Sequence, residues 1–247
     1  MMIDRVEGII LSVQDYSDTS KVINVITKKY GIIGMMAKGC KSIKSNLRST
    51  TDKLTYGYFN IYYKENKLSI LSSVDIIDNF KNIKKDINKI SYASYLLDLT
   101  GQVIKQTNND LFDLLINALI KINEGYDPLV MMNILEFKYL EYLGVMPVID
   151  CCCKCGNKNN IATISSSSGG YICNNCLGNE KILSDKTIKL IRMFYYVDIS
   201  KITKLEISDE VKKEINSFVN EYYENYTGLY LKSKIFINNL NKLNSVK

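Results

Sequence analysis

The chain has 247 residues, a length that suits two small domains. Of these residues 46% are hydrophobic and 23% are charged, proportions that are ordinary for a soluble globular protein. Its net charge of +6 is compatible with a phosphate-bearing partner but does not by itself establish one. Because the sequence contains no histidine, serine–histidine triads and cysteine–histidine pairs are excluded. We find no signal-peptide pattern and no run approaching the roughly 18 apolar residues of a membrane span. The odd count of seven cysteines favours a reducing cytoplasm.

The first third of the chain predicts a β-barrel. Short segments rich in β-branched residues, separated by polar or glycine-bearing turns, predict strands at 6–13, 21–27, 32–37, 56–63 and 68–77. Five strands in about 75 residues indicate a small closed barrel, and the OB-fold is a common five-stranded barrel of this size. An SH3-like barrel fits the same pattern nearly as well.

A basic loop follows the third predicted strand. Its cationic residues, with no acidic residue among them, are Lys38, Lys41, Lys44 and Arg48. A flexible basic loop that leaves a barrel strand can contact the phosphate backbone of a nucleic acid. The alternative is a solvated lysine-rich loop, which is the usual role of a run of charge.

Three tyrosines share one face of the fourth predicted strand, because they stand at positions i, i+2 and i+6: Tyr56, Tyr58 and Tyr62. Phe59, Ile61 and Tyr63 take the opposite face, and one of the two faces should be core. The tyrosine face could present rings for bases to stack on, as single-strand-binding OB-folds do. Burial of both faces beneath a neighbouring domain is an equally good alternative.

From residue 80 onward, apolar residues recur at helical spacing. A long helix is predicted along Ile83, Ile87, Ile90 and Leu97, and further helices at 111–122, 128–143, 185–196, 209–226 and 233–243. A cysteine-rich segment at 147–180 interrupts them. We therefore predict an α+β protein with a barrel domain at 1–79 and a helical domain at 80–247 that carries the cysteine-rich module as an insertion.

Four cysteines in this module have the spacing of a metal site, C-x2-C-x17-C-x2-C. They are Cys152, Cys155, Cys173 and Cys176. Four sulfur ligands would complete a tetrahedron around Zn²⁺ and leave no position for water, so the site should be structural. Two disulfides, or thiols that stand at this spacing by chance, are the alternatives. Cys151 and Cys153 are neighbouring thiols, but Cys152 alone stands at the x2 spacing from Cys155.

The ordered set of motifs resembles the RecO recombination-mediator family over nearly the whole chain. The residues that carry this resemblance are Glu7-Gly8-Ile9-Ile10-Leu11, Tyr30-Gly31-Ile32-Ile33-Gly34, Ala37-Lys38-Gly39, Lys44-Ser45, the Gly-Val-Met-Pro ending before the first cysteine pair, Gly169-Gly170-Tyr171-Ile172-Cys173, and Leu231-Lys232-Ser233-Lys234-Ile235-Phe236. The resemblance implies an N-terminal OB-fold, a helical domain and an inserted module with one structural Zn²⁺.

The same resemblance implies a non-enzymatic DNA-repair protein of the RecF pathway, located in the cytoplasm with the nucleoid. Such a protein binds single- and double-stranded DNA, anneals complementary strands and, with RecR, helps RecA replace single-strand-binding protein (SSB). We expect the acidic, apolar C-terminal tail of SSB to dock on the helical domain, beside lysines such as Lys105, Lys121 and Lys138.

Two other functions stay open from the residues alone. An RNA-binding zinc protein of the translation or transcription apparatus would use the same barrel and basic loop. A thiol redox enzyme would use the C-x2-C pairs directly, and a zinc content of one ion per chain would exclude it.

Overall fold

The structure is a computed structural model that describes residues 3–244. The chain divides into two compact units, Met1–Asn123 and Glu124–Lys247. The predicted domains at 1–79 and 80–247 stay a prediction, but the packing groups residues 80–123 with the barrel. Among the described residues, no helix combines the length and the apolar character needed to cross a membrane.

The first unit contains a closed five-stranded barrel, with strands β1 Ile3–Asp15, β2 Lys21–Thr27, β3 Gly31–Ala37, β4 Tyr56–Tyr62 and β5 Ser69–Asp78. The strand order is β1-β2-β3-β5-β4, and β4 pairs back onto β1. Neighbouring strands are antiparallel except β3 and β5, which run parallel at Met35 and Ser69. This arrangement confirms the predicted OB-fold and excludes the SH3-like alternative.

Alternation along the strands sends one set of side chains into the barrel. The core includes Val6, Ile10, Ile23, Met35 and Phe59, all essentially inaccessible to solvent. Phe59 and Ile61 therefore lie on the core face of β4, as the sequence pattern predicts for one of its two faces.

Three helices follow the barrel along the chain: α1 Lys81–Lys84, α2 Ile87–Thr107 and α3 Phe112–Glu124, the last of which ends at the boundary between the two units. The predicted long helix is interrupted because the side chain of Asp86 accepts hydrogen bonds from the backbone N–H groups of Asn88 and Lys89 and so caps a new helix. Ile87, predicted to lie on the apolar face, is exposed. Helix α2 approaches the barrel closely at Gly101, where a Cβ atom would lie 3.1 Å from Cδ2 of Leu11.

The second unit is built around α4 Pro128–Tyr142, which is buried on almost every side and is packed by α5 Asp185–Tyr196 and α6 Asp209–Tyr226. Phe137 of α4 contacts Phe194 and Phe218, with ring centroids 6.4 and 5.9 Å away. A two-stranded sheet, β6 Ile161–Ser165 and β7 Gly170–Cys173, carries the cysteine-rich module, and α7 Lys232–Asn244 ends the described chain.

Candidate metal centre and nucleic-acid interface

The structure brings four cysteine sulfur atoms together at one end of the β6–β7 sheet. Sγ atoms of Cys152, Cys155, Cys173 and Cys176 all lie within 4.8 Å of one another. The Sγ atoms of Cys155 and Cys173 are 3.6 Å apart, close to the ~3.8 Å edge of a tetrahedron with 2.3 Å metal–sulfur bonds. The donor set and its spacing therefore fit a metal ion held by four thiolates.

Local backbone geometry forms the first cysteine turn. The N–H of Gly156 donates to the carbonyl oxygen of Cys152 at 2.8 Å, and the N–H of Cys152 donates to the carbonyl oxygen of Asn157 at 2.7 Å. Gly156 adopts a φ of 73°, a left-handed conformation that glycine reaches without steric cost. The turn thereby folds the chain back and brings Cys152 and Cys155 to the same side.

Hydrogen bonds within the cluster shift the pKa values of two of its thiols in opposite directions. Burial opposes ionisation of Cys152, yet N–H groups of Cys173, Lys154 and Cys155 together lower its pKa to about 6. Hydrogen bonds with Cys155 and Cys173 raise the pKa of Cys176 to about 12. Ionisation is thus favoured at Cys152 and opposed at Cys176, and a coordinated metal ion would favour the thiolate form of both.

The neighbouring thiols stand outside the cluster. Cys151 and Cys153 are half-buried and are not part of the group of four converging sulfur atoms. The N–H of Cys153 donates to the carbonyl oxygen of Tyr171 at 2.8 Å, which ties the first cysteine turn to β7.

An ion pair links the two cysteine pairs from outside the cluster. Nζ of Lys154, in the first turn, lies 2.8 Å from Oε1 of Glu180, which follows the second turn. The same ammonium donates to the carbonyl oxygen of Cys176 at 3.3 Å. This ammonium, followed by the N–H of Gly178, holds the pKa of Glu180 at about 2, so the carboxylate is ionised at neutral pH.

The basic loop between β3 and β4 is anchored to the barrel along its length. Cys40 and Leu47 are buried and belong to the barrel core, and Thr51 is buried with its hydroxyl 2.9 Å from the carbonyl oxygen of Leu47. The loop predicted to be flexible is therefore packed at several points, and its cations project from an ordered base.

Within this loop, Lys41 differs from the other predicted phosphate contacts. Its Nζ lies 3.0 Å from a carboxylate oxygen of Asp15 and donates to the carbonyl oxygen of Ser17 at 2.9 Å. Lys38, Lys44 and Arg48 are exposed, and none has a carboxylate partner in the part of the chain that the structure describes. Lys41 thus joins two turns, whereas the other three cations are available to an anionic ligand.

The predicted tyrosine face is not uniform, and Tyr56 requires a correction. Tyr56 is only 8% exposed, its ring centroid lies 6.2 Å from those of Phe80 and Phe112, and its hydroxyl donates to Glu7 at 2.5 Å. Side chains from beyond the strand therefore cover this end of the face, and bases cannot stack on Tyr56.

The other two tyrosines of β4 are half-buried. The guanidinium of Arg5 lies 4.2 Å from the ring centroid of Tyr58, and the cross-strand neighbours of Tyr58 are Glu7 and Asp75. Tyr62 stands at the end of β4, opposite Ile3 and Ile70. The face around Tyr58 carries two carboxylates, which would repel a phosphate backbone.

Comparison with known proteins agrees with the barrel and helical architecture. A family model described as "Recombination protein O N terminal" matches residues 1–80, and one described as "Recombination protein O C terminal" matches residues 84–235. The chain belongs to the RecO family of DNA repair proteins. The family resemblance in its sequence motifs is thereby confirmed.

Three RecO relatives show how far the similarity extends. The DNA repair protein RecO of Listeria monocytogenes is 33% identical over 244 residues, covering 97% of this chain and 95% of the relative. The RecO of Bacillus pumilus is 34% identical, with 98% and 96% covered. The RecO of Halalkalibacterium halodurans is 32% identical, with 98% and 97% covered.

Two features of this RecO-family chain lie beyond the sequence analysis. Lys41 joins two turns through its contacts with Asp15 and Ser17, which belong to the β1–β2 hairpin. The residues of the basic loop itself do not predict these contacts. Tyr16, at the tip of that hairpin, is 67% exposed, but a lone aromatic residue in a polar turn gives no periodic signal.

Proposed function

We propose that this protein is a non-enzymatic recombination mediator of the RecF pathway that binds single- and double-stranded DNA and anneals complementary strands. The observation that carries this proposal is the set of exposed cations without carboxylate partners, Lys38, Lys44 and Arg48, on an ordered loop of an OB-fold in a RecO-family chain. A loop of this kind favours contacts with phosphates, which carry no sequence information themselves.

Annealing follows from neutralisation of charge. Two complementary strands repel each other through their phosphates, and bound cations lower this repulsion while condensed counterions are released. Base pairing then supplies the sequence discrimination, so the protein needs no direct readout of bases. In this mechanism no bond in the DNA is made or broken, which agrees with the proposal that the protein is not an enzyme.

We propose Zn²⁺ as the ion held by Cys152, Cys155, Cys173 and Cys176. Zn²⁺ accepts four thiolates in a tetrahedron, and a site filled in this way leaves no open position for a catalytic water. Bound zinc would supply a cross-link between the two cysteine turns. The ion pair of Lys154 with Glu180 closes the same two turns from outside.

We propose RecR, RecA and SSB as the proteins with which this chain acts on the nucleoid, on the basis of its family. The SSB tail is proposed to dock within residues 80–247. Lys138 is less suited to bind it than the sequence suggests, because its Nζ already donates to the carbonyl oxygen of Tyr195 at 2.9 Å and burial lowers its pKa.

The test is annealing of complementary DNA strands, each coated with SSB, measured by fluorescence transfer between end labels. We expect the wild-type protein to accelerate annealing and the Lys38→Ala/Lys44→Ala/Arg48→Ala variant to lose most of that acceleration. Complementary RNA strands provide the comparison, and a larger acceleration on RNA than on DNA would contradict the proposal. Equal annealing by the wild type and the variant would place the DNA elsewhere.

A further inference from the structure

Two large apolar side chains project into solvent from adjacent turns of the barrel unit. Tyr16, between β1 and β2, is 67% exposed, and Ile43, in the loop between β3 and β4, is 85% exposed. Single exposed apolar residues are ordinary on protein surfaces. What distinguishes these two is the way their turns are joined and the charge around them.

Hydrogen bonds join the two turns. The N–H of Lys41 donates to the carbonyl oxygen of Thr19 at 3.0 Å, and the N–H of Gly39 donates to Oγ of Ser20 at 3.2 Å. The side chain of Lys41 adds its bonds to Asp15 and Ser17. The turn that carries Tyr16 and the loop that carries Ile43 are therefore held together at one end of the barrel, rather than moving independently.

The same end of the barrel is positively charged. Lys38, Lys44 and Arg48 are exposed on the loop, and Lys41 neutralises Asp15. The loop also carries the exposed carboxylate of Asp52, which lies 3.3 Å from Nζ of Lys21 and is neutralised by it. Asp18, an exposed carboxylate in the turn of Tyr16, opposes the three cations. A polyanion is therefore attracted to the surface from which Tyr16 and Ile43 project.

This combination is absent from the strand face for which base stacking is one of two equal predictions from the sequence. There, Tyr56 is buried, and Tyr58 lies under Arg5 between Glu7 and Asp75. Aromatic rings that stack on bases in single-strand-binding proteins need one open face and nearby cations for the backbone. Tyr16 meets both conditions.

We propose that Tyr16 and Ile43 contact the unpaired bases of single-stranded DNA, Tyr16 by stacking and Ile43 by apolar contact, while Lys38, Lys44 and Arg48 hold the phosphates. This proposal rests on the proposed DNA-binding function and names the part of the DNA that the barrel contacts. In a duplex the faces of the bases are covered by their neighbours. The two residues therefore favour single strands over duplexes, whereas the cations bind both.

The absence of tryptophan from the sequence allows a direct test of stacking. In a Tyr16→Trp variant the new indole is the sole tryptophan, and we expect oligothymidylate to quench its fluorescence. An abasic oligonucleotide of the same length carries the same phosphates and should not quench it. Tyr230→Trp is the matched control, because Tyr230 is 77% exposed but belongs to the second unit. Equal quenching at both positions, or none at Tyr16→Trp with oligothymidylate bound, overturns the proposal.

Affinity provides the second readout. Tyr16→Ala should weaken binding of oligothymidylate about fivefold or more, as expected for loss of one stacked base, and should leave binding of the abasic oligonucleotide unchanged. Tyr16→Phe should keep the wild-type affinity, and Ile43→Ser should show a smaller loss of the same kind. If Tyr16→Ala loses affinity equally for both oligonucleotides, or for neither, the proposed stacking role of Tyr16 is overturned, but the proposed DNA-binding function is not. If the wild-type protein binds neither oligonucleotide, the proposed function itself fails.

Discussion

Nζ of Lys234 lies 2.6 Å from Oε1 of Glu136, whose side chain is only 1% exposed. Lys234 comes from α7 and Glu136 from the central helix α4, so the pair connects the last described helix to the core of its unit. The backbone carbonyl oxygen of Glu136 also accepts a hydrogen bond from the hydroxyl of Tyr223 at 2.8 Å. The closing basic motif at 231–236 therefore supplies a structural lysine, as well as exposed residues.

We predict that Lys234→Met destabilises the protein, because it leaves the carboxylate of Glu136 buried without its ammonium partner. Breaking a buried ion pair in this way costs about 3–5 kcal/mol in the free energy of unfolding. Urea denaturation followed by circular dichroism measures the change. The double variant Lys234→Met/Glu136→Gln should recover much of the loss, because it removes the buried charge as well.

Lys232→Met is the matched control, since Lys232 belongs to the same motif but is exposed. We expect its free energy of unfolding to stay within about 0.5 kcal/mol of wild type. A Lys234→Met variant that is as stable as wild type but binds DNA poorly would show that Lys234 contacts DNA instead.

The metal centre gives a prediction about which cysteines are ligands. Cys155→Ser and Cys152→Ser should lose bound zinc, because three thiolates leave the tetrahedron incomplete. Cys151→Ser and Cys153→Ser should keep it, because their sulfur atoms lie outside the converging group. Metal analysis of the purified variants measures zinc per chain. Retention of zinc by Cys152→Ser together with its loss from Cys151→Ser would show that the ligand register is wrong.

Removal of the metal should disorder the module while the barrel stays folded. Amide hydrogen exchange of the wild-type protein with and without a chelator should show lost protection in β6 and β7, since the folding energy of such modules comes largely from metal binding. Protection in β1–β5, which lie in the other compact unit, should be unchanged. Loss of protection throughout both units would contradict a local role for the ion.

The sequence predicts the cysteine cluster better than the tyrosine face, for a physical reason. Ligand spacing is set by local turns, so C-x2-C pairs bring Cys152 and Cys155 together wherever the module lies. The alternation of β4 separates Phe59 from Tyr58, but it cannot show that Phe80 and Phe112, far along the chain, cover Tyr56. The ion pair of Lys41 could not be predicted for the same reason, because its partner Asp15 is 26 residues away and lies on another hairpin.

The free cations of the basic loop should dominate the salt dependence of DNA binding. The variant Lys38→Ala/Lys44→Ala/Arg48→Ala should weaken binding to all sequences alike. It should also reduce the slope of log K against log salt by up to about 2 for single strands, because roughly 0.7 of a counterion is released per phosphate contact. Fluorescence anisotropy at several salt concentrations measures both quantities.

Two controls separate position from net charge in this experiment. Lys186→Ala/Lys189→Ala/Lys213→Ala removes the same charge from exposed sites in the second unit and should leave the slope unchanged. Lys41→Ala should change the slope little, because its ammonium is already paired with Asp15. If both triple variants reduced the slope equally, DNA binding would depend on the overall charge of the protein rather than on the cations of the basic loop.

The last prediction concerns the SSB tail, which we propose docks within residues 80–247 and not on the basic loop. A fluorescent tail peptide titrated against the loop variant Lys38→Ala/Lys44→Ala/Arg48→Ala should bind as tightly as it binds wild type, although DNA binding by this variant is weakened. Tail binding should also fall less steeply with salt than DNA binding, because a short peptide has few condensed counterions to release. With wild type, saturating oligothymidylate should leave the peptide bound, which would allow SSB to recruit the protein while the barrel holds DNA. Displacement of the peptide by DNA, together with its weakened binding to the loop variant, would place both ligands on the same cations.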